Sequence, residues 1–437
     1  MKSTFKNQED ILNKLGIEQL NPMQEETFQA IKENSDVVLL SPTGTGKTLA
    51  FLMPLLETLD TECDEIQLLI LVPSRELAIQ IEQVTREMGT GFKTNAIYGG
   101  RTGTQDKLDL KHKPAILIGT PGRIADHLRR GSFSANSIHT LVLDEFDKSL
   151  EIGFEKEMIE IVDALDYLKK KILTSATEKK QGIPAFVGIK KPVIINYLHE
   201  SITQLKIKAI VSPDNDKLET LVKAISHIGN QPGIVFCNFK DTIQQVSDYL
   251  ADKGVNHGCF FGGMEQRDRE LALVKFRNGT HQLLIATDLA ARGIDVPEIK
   301  FILHFELPMK SHEFTHRNGR TARMNADGTA YVLHCESDDV PGFIELSEVE
   351  NLTTASIPTT SLWTTLHVTG GRRDKISKGD VAGLFFKQGL LNKDELGTIE
   401  LKADCTYVAV HTSKVNKVIE LTNNAKLKTK KVRVSVI

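Results

Sequence analysis

The chain has 437 residues, of which 40% are hydrophobic and 25% charged, so it has an ordinary globular composition and is too long for a single hydrophobic core. Its net charge of −3 hides an asymmetry, because residues 363–437 carry fourteen basic and seven acidic side chains, whereas the residues before them carry 40 and 50. We find neither a run of about eighteen apolar residues nor the apolar core of a signal peptide, so we expect a cytoplasmic protein that contacts no membrane. The five cysteines are scattered without Cys-x-x-Cys spacing, which argues against a disulfide framework and against a zinc site.

Short apolar runs alternate with helical patterns from residue 1 to about residue 198. Continuous apolar strands separated by helices are typical of a parallel sheet that helices cover on both faces. We therefore predict a first α/β domain over residues 1–198, with strands at Val37–Leu40, Gln67–Val72, Ala115–Gly119, Thr140–Leu143, Ile172–Thr174 and Val193–Ile195.

The first of these strands is followed by the glycine-rich run Ser41-Pro42-Thr43-Gly44-Thr45-Gly46-Lys47-Thr48 and then by a predicted helix. Glycines in such a turn let backbone N–H groups face a phosphate, Lys47 supplies a charge for the β- and γ-phosphate oxygens, and the Thr48 hydroxyl can reach Mg²⁺. The run therefore predicts a nucleoside triphosphate site. Because the strict pattern has glycine where Ser41 stands, a glycine-rich turn of some other α/β protein is the alternative until a second motif is found.

A second motif follows the predicted strand Thr140–Leu143. It is Asp144-Glu145-Phe146-Asp147. Near such a turn, a carboxylate at the carboxyl end of a parallel strand can hold the hydrated Mg²⁺ and its neighbour can orient the attacking water. Asp144 fits the first role and Glu145 the second. Two acids after a strand are more often a solvated strand end, but the upstream phosphate-binding run favours the site.

The alternating pattern lapses from about residue 198 to 212 and then resumes over a predicted second α/β domain, residues 206–340. Its predicted strands are Ile234–Cys237, Leu283–Thr287, Phe301–His304 and Ala330–His334, with amphipathic helices such as Lys217–Ile228 and Thr242–Lys253 between them. Acidic and hydroxyl clusters with two prolines predict a linker at 341–362.

The last module, residues 363–437, changes pattern. Strands at Leu366–Val368, Thr398–Leu401, Tyr407–Val410 and Val432–Val436, with helices near Lys378–Gln388 and Lys414–Asn423, give a βαββαβ order that predicts a small α+β domain. A basic module on an acidic body indicates a polyanion partner. The alternative is a merely solvated charged surface.

Ordered motifs run from about Gly16 to Arg323. They are Asn21-Pro22-Met23-Gln24, the run 41–48, Pro73–Ala78, Gly99-Gly100, Thr120–Arg123, Asp144–Asp147, Ser175–Thr177, Gln266–Arg269, Ala286–Asp288, Arg292–Asp295 and His316–Arg323. Each motif alone is weak, but the ordered set resembles the DEAD-box RNA helicases of superfamily 2. The resemblance implies two tandem RecA-like parallel-sheet domains that close on ATP, Mg²⁺ and single-stranded RNA.

The resemblance assigns roles to the matching positions. Gln24 would bind the adenine edge, since its amide presents a donor and an acceptor side by side, and Phe5 is the candidate to stack on the base. Lys47, Glu145, Arg320 and Arg323 would act in catalysis, with the two arginines reaching the γ-phosphate from the second domain. The nucleotide would be held by Gln24, Thr43, Gly44, Thr45, Gly46, Lys47, Thr48 and Asp295, the Mg²⁺ by Thr48 and Asp144, and the motifs would be coupled by Asp147, Ser175, Thr177 and His316.

The implied RNA track consists of proline, glycine, threonine and arginine positions at strand ends. Such residues suit phosphates and 2′-hydroxyls rather than bases, so we expect binding that is independent of sequence. The residues are Pro73, Arg75, Gly100, Thr120, Pro121 and Arg123 in the first domain and Arg269 and Thr287 in the second.

Three positions depart from the family pattern. Phe146 replaces alanine, Ala322 replaces glycine and Asn21 replaces serine or threonine. None of these changes removes a catalytic group. Phe146 adds bulk beside Asp147, which we expect to bond Ser175 and Thr177 or the His316 segment, so it leaves open how tightly the domains close and how fast the enzyme turns over.

The C-terminal module is similar to the RNA-binding domain of the DbpA subfamily. The similarity lies in Gly370–Val381, Gly397-Thr398-Ile399, Tyr407–Val410 and Lys430–Val434. It implies an RRM-like domain in which Arg372, Arg373, Lys375 and Tyr407 bind RNA, although the third strand lacks the double aromatic of an ordinary RRM. In that subfamily the domain recognises a hairpin of large-subunit ribosomal RNA, which would make this protein a ribosome-assembly factor. A basic domain without preference is the alternative.

The sequence therefore predicts a monomeric ATP-dependent RNA helicase that remodels RNA duplexes. One alternative is an ATP-dependent RNA clamp or chaperone with little hydrolysis, which Phe146 leaves open. A second is a DNA-directed motor of the same superfamily, against which the motif set argues.

Overall fold

The computed structural model of the protein describes residues 7–100, 103–177, 182–198, 205–213, 216–288, 299–321, 328–358 and 361–437. The chain forms two units that divide near residue 202. The first unit contains one parallel sheet, and the second contains another parallel sheet together with a C-terminal antiparallel sheet. The predicted fold class, two α/β domains followed by a small α+β domain, is confirmed.

The first sheet is built from short strands, most of which are buried along almost their whole length, whereas the edge strand Val193–Asn196 is largely exposed. They are β1 (Asp36–Leu40), β2 (Leu68–Leu71), β3 (Thr94–Ile97), β4 (Ile116–Gly119), β5 (Thr140–Leu143), β6 (Lys170–Ser175) and β7 (Val193–Asn196). Within the described residues they pair in parallel in the order β3-β4-β2-β5-β6-β1-β7. Successive side chains enter opposite clusters, as Leu69 and Ile70 do, because both faces of the sheet are covered.

Helices cover the two faces of this sheet. Ile31 of one helix and Ile81 of another pack with Ile70 on one face, and Ile124 and Met158 pack with Leu69 on the other. The helices of the first unit are α1 (Gln8–Leu15), α2 (Pro22–Glu33), α3 (Lys47–Leu56), α4 (Arg75–Met88), α5 (Gly103–Lys111), α6 (Pro121–Arg129), α7 (Phe146–Ile152) and α8 (Glu155–Asp163).

The second unit repeats this architecture. Its strands are β8 (Leu205–Ser212), β9 (Gly233–Phe236), β10 (His257–Phe260), β11 (Leu283–Ala286), β12 (Phe301–His304), β13 (Gly328–Cys335) and β14 (Glu348–Val349). The described residues pair in parallel in the order β10-β11-β9-β12-β13-β8-β14. Its helices are α9 (Lys217–Ile228), α10 (Lys240–Asp252), α11 (Gln266–Arg277) and α12 (Ser311–Asn318).

Among the described strands of the two parallel sheets, four escaped the sequence prediction: β3, β8, β10 and β14. Strand β3 is short, and β10 begins with His257 and Gly258, so neither offers a long apolar run. Strand β8 lies in the stretch where we expected the pattern to lapse, and that expectation is wrong for residues 205–212. Lys206 and Lys208 interrupt its apolar run because β8 lies near the edge of the sheet, where Lys208 pairs with carboxylates of the following segment.

That segment belongs to the stretch predicted as a linker, residues 341–362. Its strand β14 pairs with β8, and Leu352 and Ile357 pack against the core of the second sheet. Lys208 bonds Glu348 and Glu350, each at 2.7 Å. Much of the stretch is therefore fastened to the second sheet.

The C-terminal module is a four-stranded antiparallel sheet backed by two helices, as predicted. Its strands are β15 (Trp363–Val368), β16 (Leu396–Leu401), β17 (Thr406–His411) and β20 (Val434–Val436), and its helices are α13 (Lys378–Lys387) and α14 (Val415–Thr422). The described residues pair in the order β16-β17-β15-β20, and β18 (Lys426–Leu427) with β19 (Lys430–Lys431) forms a small separate hairpin. Val368, Phe385 and Val408 lie in its core, between the sheet and the helices.

Phe146, the bulky departure from the family pattern, lies inside the first unit. Its ring is 4% exposed and belongs to the same apolar cluster as Leu143 and Met158. The ring centroid lies 6.4 Å from that of Phe186, at an interplanar angle of 52°. The extra bulk is therefore absorbed by the core.

We expect Phe146→Ala to lower the free energy of unfolding by about 3–5 kcal/mol, because it leaves a cavity in the core. Urea denaturation followed by circular dichroism measures this loss. Phe239→Ala is the matched control, since that ring is 55% exposed and its removal should change stability by no more than about 0.5 kcal/mol. Equal, small losses in both variants would contradict the buried position of Phe146.

Candidate nucleotide and RNA-binding sites

The carboxyl ends of the strands in the first sheet carry most of the predicted motifs. Because these strands are parallel, the loops that follow them lie along one edge of the sheet. The strand order separates these loops into two groups. Strand β1 is followed by the P-loop (residues 41–48), β6 ends at Ser175 and β5 is followed by Asp144. Strands β2, β4 and β3 are followed by Pro73, Thr120 and Gly99-Gly100, respectively. Within the first sheet, the loops predicted to bind phosphate and Mg²⁺ thus share one half of the edge, and the loops predicted to bind RNA share the other.

The backbone of the P-loop, residues 41–48, folds around the ammonium group of Lys47. Gly44 and Gly46 have φ angles of 89° and 87°, in the left-handed region that favours glycine. The Lys47 ammonium donates to the carbonyl oxygens of Ser41 and Pro42, at 2.7 Å each. Charged phosphate oxygens are stronger acceptors than carbonyls, so the lysine can exchange these bonds for bonds to a nucleotide.

Ser41 occupies the position where the strict P-loop pattern has glycine. It is fully buried, its hydroxyl lies 2.8 Å from the Thr45 hydroxyl, and its N–H donates to the Ser175 carbonyl. The serine therefore joins the base of the P-loop to β6, and the departure leaves the turn intact.

Gln24 lies against the P-loop. Its amide oxygen accepts from the Asn21 N–H at 3.0 Å, and its amide nitrogen donates to the Gly46 carbonyl at 3.3 Å. Asn21 caps α2 and also donates to the Thr45 carbonyl. A Cβ atom at Gly46 would lie 2.4 Å from the Gln24 amide nitrogen, and together with the φ angle of 87° this close approach favours glycine there. These contacts use one acceptor site and one N–H of the amide, and adenine binding by the rest stays a prediction.

Asp144 and Glu145 follow β5 in a buried turn. Asp144 is 3% exposed. Burial raises the pKa of Asp144, and the Thr174 hydroxyl, the Lys47 charge and the Glu145 N–H oppose that rise. Glu145 has φ 47° and ψ 50°, a left-handed conformation that is rare outside glycine, and α7 begins directly after it.

Asp147 lies in the first turn of α7 and contacts the Ser175–Thr177 motif. The Thr177 hydroxyl donates to Asp147 at 2.8 Å, as the sequence led us to expect. The Ser175 hydroxyl donates to the Thr177 carbonyl at 2.6 Å and accepts from the Thr177 N–H at 3.1 Å. Ser175 therefore fixes the turn that presents Thr177 to Asp147.

The donor set at this edge fits Mg²⁺. The hydroxyl of Thr48 and the carboxylate of Asp144 are hard oxygen donors, and Asp144 keeps its second oxygen, Oδ2, outside its bonds to Thr174 and Glu145. The described residues contain no group of three or more His, Cys, Asp or Glu that could hold a metal ion. A cation at this site would therefore need phosphate oxygens and water to complete its coordination, which is the usual behaviour of Mg²⁺.

On the RNA half of the edge, Arg75 lies against the two glycines that follow β3. A Cβ atom at Gly100 would lie 2.6 Å from Nη1 of Arg75, and one at Gly99 would lie 3.4 Å from Nη2. Gly100 also has φ 90°. The two predicted RNA-binding segments are thus in direct contact, and the glycines make room for the guanidinium.

Arg123, also predicted to bind RNA, is held by carboxylates. Its guanidinium lies 2.7 Å from the fully buried Asp106 and 3.3 Å from Asp126. Asp106 also bonds His127 at 3.1 Å. The arginine therefore joins α6, which begins at the predicted RNA residues Thr120-Pro121, to α5, and its contact with phosphate stays a prediction.

In the second unit, Arg317 joins three loops that follow strands of the sheet. It is 1% exposed, and its guanidinium forms two bonds to Asp288, at 2.8 and 2.6 Å. It also donates to Asn238 at 2.6 Å and to the Glu306 carbonyl at 2.8 Å, and it lies over the Phe236 ring. Its pairing ties the loops after β9, β11 and β12 together.

The other predicted residues of the second unit lie on or next to β11, α11 and α12. Thr287 is half-buried directly after β11, and the guanidinium of Arg269 lies 4.9 Å from the centre of the Phe260 ring. Arg320 and His316 are buried, at 4% and 7% exposed. Phe5, Asp295, Ala322 and Arg323 lie outside the described residues.

The C-terminal module is joined to α11 of the second sheet. Arg277, the last residue of α11, donates two hydrogen bonds to Glu400, Nε to Oε1 at 2.6 Å and Nη2 to Oε2 at 2.9 Å. Burial acts to raise the pKa of Glu400, but the charges of Arg277 and Lys402 outweigh it, so the pKa lies below its ordinary value. The carboxylate is therefore ionised at neutral pH.

Uncharged contacts complete this joint. The Thr365 hydroxyl, fully buried, lies 2.6 Å from the Thr280 hydroxyl and accepts from the Asn278 amide at 3.2 Å. Trp363 packs beside Gly279, where a Cβ atom would lie 3.2 Å from its Cδ1. Polar groups buried with partners and a packed aromatic ring are features of a stable contact.

Tyr407, predicted to bind RNA, lies on the sheet face turned toward α11. Its ring centroid is 5.6 Å from that of His367. Burial raises the pKa of Tyr407 to about 12, helped by Cys405 and by the nearby charge of Glu270 in α11. The tyrosine therefore lies partly buried beside His367 and near charges of α11, and base stacking by it stays a prediction.

The basic residues predicted in the module lie in a loop after β15. Arg373 pairs with Asp404 at 2.9 Å, with more than half of each side chain exposed, and Arg372 donates to the Leu401 carbonyl. Lys375 has φ 58°, and its carbonyl accepts from Lys428. These weak, exposed contacts can be exchanged for phosphate oxygens at little cost.

Four residues of these sites were missed by the sequence analysis: Thr174, Asp106, Arg277 and Glu400. Thr174 precedes a recognised motif, and only its contact with Asp144 marks it. Arg277 and Glu400 are 123 residues apart, so no local pattern connects them. Charged residues on a helix are usually solvated, which is why spacing alone gave no signal.

Two parallel sheets with a P-loop, a strand-end carboxylate pair and arginine-rich second-unit motifs define a helicase of the P-loop class. Residues 21–183 match the DEAD/DEAH box helicase family, and residues 216–325 match the helicase conserved C-terminal domain. Residues 365–436 match the DbpA RNA binding domain.

The chain belongs to the DEAD-box ATP-dependent RNA helicases of the DbpA type. It is 31% identical to the ATP-dependent RNA helicase DbpA of Escherichia coli (strain K12), over 98% of this chain and 96% of that protein. It is 29% identical to the protein of the same name from Bacillus subtilis (strain 168), over 99% of each chain. It is thus an enzyme, an RNA-dependent ATPase and RNA helicase.

Solved structures agree on the fold. S. cerevisiae Dbp5 bound to RNA and ADP BeF3 matches with a TM-score of 0.69 at 24% identity, over 76% of this chain and 88% of that one. Mss116 bound to ssRNA and UDP-BeF matches with a TM-score of 0.68 at 26% identity, over 75% and 72%. Among the described residues, every helix is too short or too polar to cross a membrane.

The joint between α11 and the C-terminal module gives a prediction that fluorescence can test. Trp363 is the single tryptophan of the chain, and it lies in this joint. We expect Arg277→Ala and Glu400→Ala each to shift its emission to longer wavelength well below the unfolding temperature, because a buried charge without its partner opens the contact to water.

The charge-swapped pair Arg277→Glu with Glu400→Arg should recover part of the shift. Arg129→Ala is the matched control, since it removes an arginine from an exposed ion pair with Glu160 in the first unit. Unchanged emission in both single variants would show that the ion pair does not hold the module in place.

Proposed function

We propose that this helicase remodels large-subunit ribosomal RNA during ribosome assembly, as a cytoplasmic monomer that residues 363–437 bring to its target. The match of those residues to the DbpA RNA binding domain supports the choice of RNA. The observation that carries the proposal is the joint through Arg277, Glu400 and Thr365, because it fastens the binding module to the helicase itself. RNA held by the module is thereby brought to one particular domain.

Helix α11 connects the two activities. It carries Arg269, predicted to touch the RNA backbone, near its start and Arg277, which holds the module, at its end. Eight residues of α-helix span about 12 Å. We infer that a hairpin on the module leaves its single-stranded flank near the RNA track of the second domain. The module would then recognise the hairpin, and the second domain would hold the single-stranded RNA beside it through contacts to phosphates and 2′-hydroxyls.

The residues around the P-loop support a division of labour in ATP hydrolysis. Lys47 gives up its bonds to the Ser41 and Pro42 carbonyls and binds phosphate oxygens. Thr48 and Asp144 would hold Mg²⁺, whose positive charge would neutralise the phosphate oxygens. Glu145 accepts a hydrogen bond from the attacking water and so orients it.

We infer that the remaining motifs couple RNA binding to the ATPase site. Asp147 and Thr177 form a bonded bridge from the loop after β5 to the loop after β6. We propose that His316, Arg320 and Arg323 act on this bridge and on the γ-phosphate once RNA is bound, with the arginines stabilising the charge that develops there. Hydrolysis then depends on RNA.

A clamp or chaperone with little hydrolysis was the alternative that Phe146 left open. The ring of Phe146 is buried beside Phe186 in the core, so its bulk gives no reason to expect slow turnover. The match to ATP-dependent RNA helicases also favours an enzyme.

We expect Lys47→Ala and Glu145→Gln to separate binding from hydrolysis. Lys47→Ala removes a charge from the phosphates and should weaken ATP binding about 10-fold to 100-fold. Glu145→Gln keeps that charge and should leave ATP affinity near wild type while kcat falls about 10²-fold to 10⁴-fold. Equilibrium titration with a fluorescent ATP analogue and RNA-stimulated phosphate release measure the two effects. Equal loss of nucleotide binding in both variants would contradict the assigned roles.

The choice of RNA is tested with full-length protein. Arg372→Ala, Arg373→Ala and Lys375→Ala in one variant should abolish the preference for large-subunit ribosomal RNA fragments over poly(A) in ATPase stimulation, while poly(A) stimulation persists. The slope of log K against log salt for the fragment should also fall by about 0.7–0.9 for each phosphate that the variant no longer neutralises.

The matched control removes three exposed lysines of the same module that lie outside the predicted site, Lys387, Lys393 and Lys417. This control has the same net charge and should keep the preference. A wild-type protein that responds equally to every RNA would overturn the ribosomal assignment while leaving the helicase activity untouched.

A further inference from the structure

One buried hydroxyl contacts both acidic residues that follow β5. Thr174 is fully buried on β6. Its hydroxyl donates to Oδ1 of Asp144 and accepts from the Glu145 N–H at 3.1 Å. The Glu145 N–H also lies 3.1 Å from Oδ1 of Asp144, so the three groups form a closed triangle.

The register of the sheet explains this contact. Strands β5 and β6 pair in parallel with Leu143 opposite Leu173, so the next residue of each strand, Asp144 and Thr174, also lie side by side. Strand β6 in turn pairs with β1, with Thr174 opposite Leu39. The hydroxyl therefore lies in the strand that separates Asp144 from the P-loop.

Both partners need the support that this hydroxyl gives. A carboxyl group that is 3% exposed needs hydrogen-bond partners, and the Thr174 hydroxyl is one of them. Glu145 occupies a left-handed conformation that is unfavourable for a residue other than glycine, and the acceptors of its N–H help to hold that turn.

We propose that Thr174 is a positioning residue of the ATPase site, which fixes one oxygen of Asp144 so that the other faces the Mg²⁺ and holds the turn that presents Glu145 to the water. This inference rests on the proposed roles of Asp144 and Glu145. A threonine that merely filled space in the strand could be replaced by valine, which has the same shape without the hydroxyl, and the two roles therefore give opposite results.

The test compares Thr174→Val with Thr174→Ser in the full-length protein, with Thr174→Ala carried in parallel in case valine prevents folding. Thr94→Val is the matched control, because Thr94 is buried on β3 and its hydroxyl has no hydrogen-bond partner among the described residues. The first readout is the affinity for N-methylanthraniloyl-ADP with and without Mg²⁺, which needs no turnover.

We expect Thr174→Val to leave the Mg²⁺-free affinity unchanged and to reduce the tightening by Mg²⁺ about 10-fold or more, the effect of losing a hydrogen bond to a charged group. The Mg²⁺ concentration at half-maximal ATPase rate should rise with it, and kcat at saturating Mg²⁺ should fall. Thr174→Ser and Thr94→Val should keep the wild-type response to Mg²⁺.

Other outcomes separate the inference from the function it rests on. If Mg²⁺ fails to tighten nucleotide binding in the wild type, the proposed metal site itself is wrong. If Mg²⁺ tightens binding equally in the wild type and in Thr174→Val or Thr174→Ala, the site stands and Thr174 does not position it. Loss of the response in Thr174→Ser as well would assign the effect to packing rather than to the hydroxyl.

Discussion

The parallel pairing of β5, β6 and β1 is the constraint on which the rest of the enzyme depends. Neighbouring strands lie about 4.8 Å apart, so these three strands bring Asp144 and the P-loop to within about 10 Å of each other with the Ser175–Thr177 turn between them. That spacing suits a nucleotide's phosphates and a metal ion. The same strand order places the loops predicted to bind RNA after β2, β4 and β3, apart from the loops predicted to bind the nucleotide. Short bonded bridges, such as the one from Asp147 to Thr177, then hold neighbouring loops of that edge together.

Two residues that depart from the usual motif patterns, Phe146 in the Asp144–Asp147 motif and Ser41 in the P-loop, are accommodated by local packing. Phe146 shares the apolar cluster of Phe186, and Ser41 uses its hydroxyl and N–H to bond Thr45 and β6. In both cases the substituted side chain lies behind the functional groups rather than among them. A bulky or polar replacement in a motif therefore changes the local core, and the groups that face the nucleotide keep their places.

Arginines hold the second unit together at two different depths. Arg317 is fully enclosed and meets Asp288, Asn238 and a backbone carbonyl, so every side of its guanidinium is used. Arg277 lies at the end of α11 and pairs in the same forked manner with Glu400 of the C-terminal module. The planar, always charged guanidinium suits both places, because it can bind a carboxylate through two bonds at once. The consequence is that the RNA-binding module is attached to its helicase domain by specific side-chain contacts as well as by the chain itself.

The sequence by itself determined the two α/β domains, the α+β module, the P-loop, the acidic pair after β5 and the ordered helicase motifs. These features depend on local spacing and on short apolar runs, which fix strands, turns and the groups at their ends. It missed β8 because Lys206 and Lys208 interrupt an apolar run near the sheet edge. Only the tertiary structure decided which strands are neighbours, and therefore that Thr174 touches Asp144, that Asp106 holds Arg123 and that Arg277 meets Glu400. It also decided that Tyr407 faces α11. These contacts join residues that are far apart in the chain. A pattern read along the sequence does not show which residues become buried or which distant residues folding brings together.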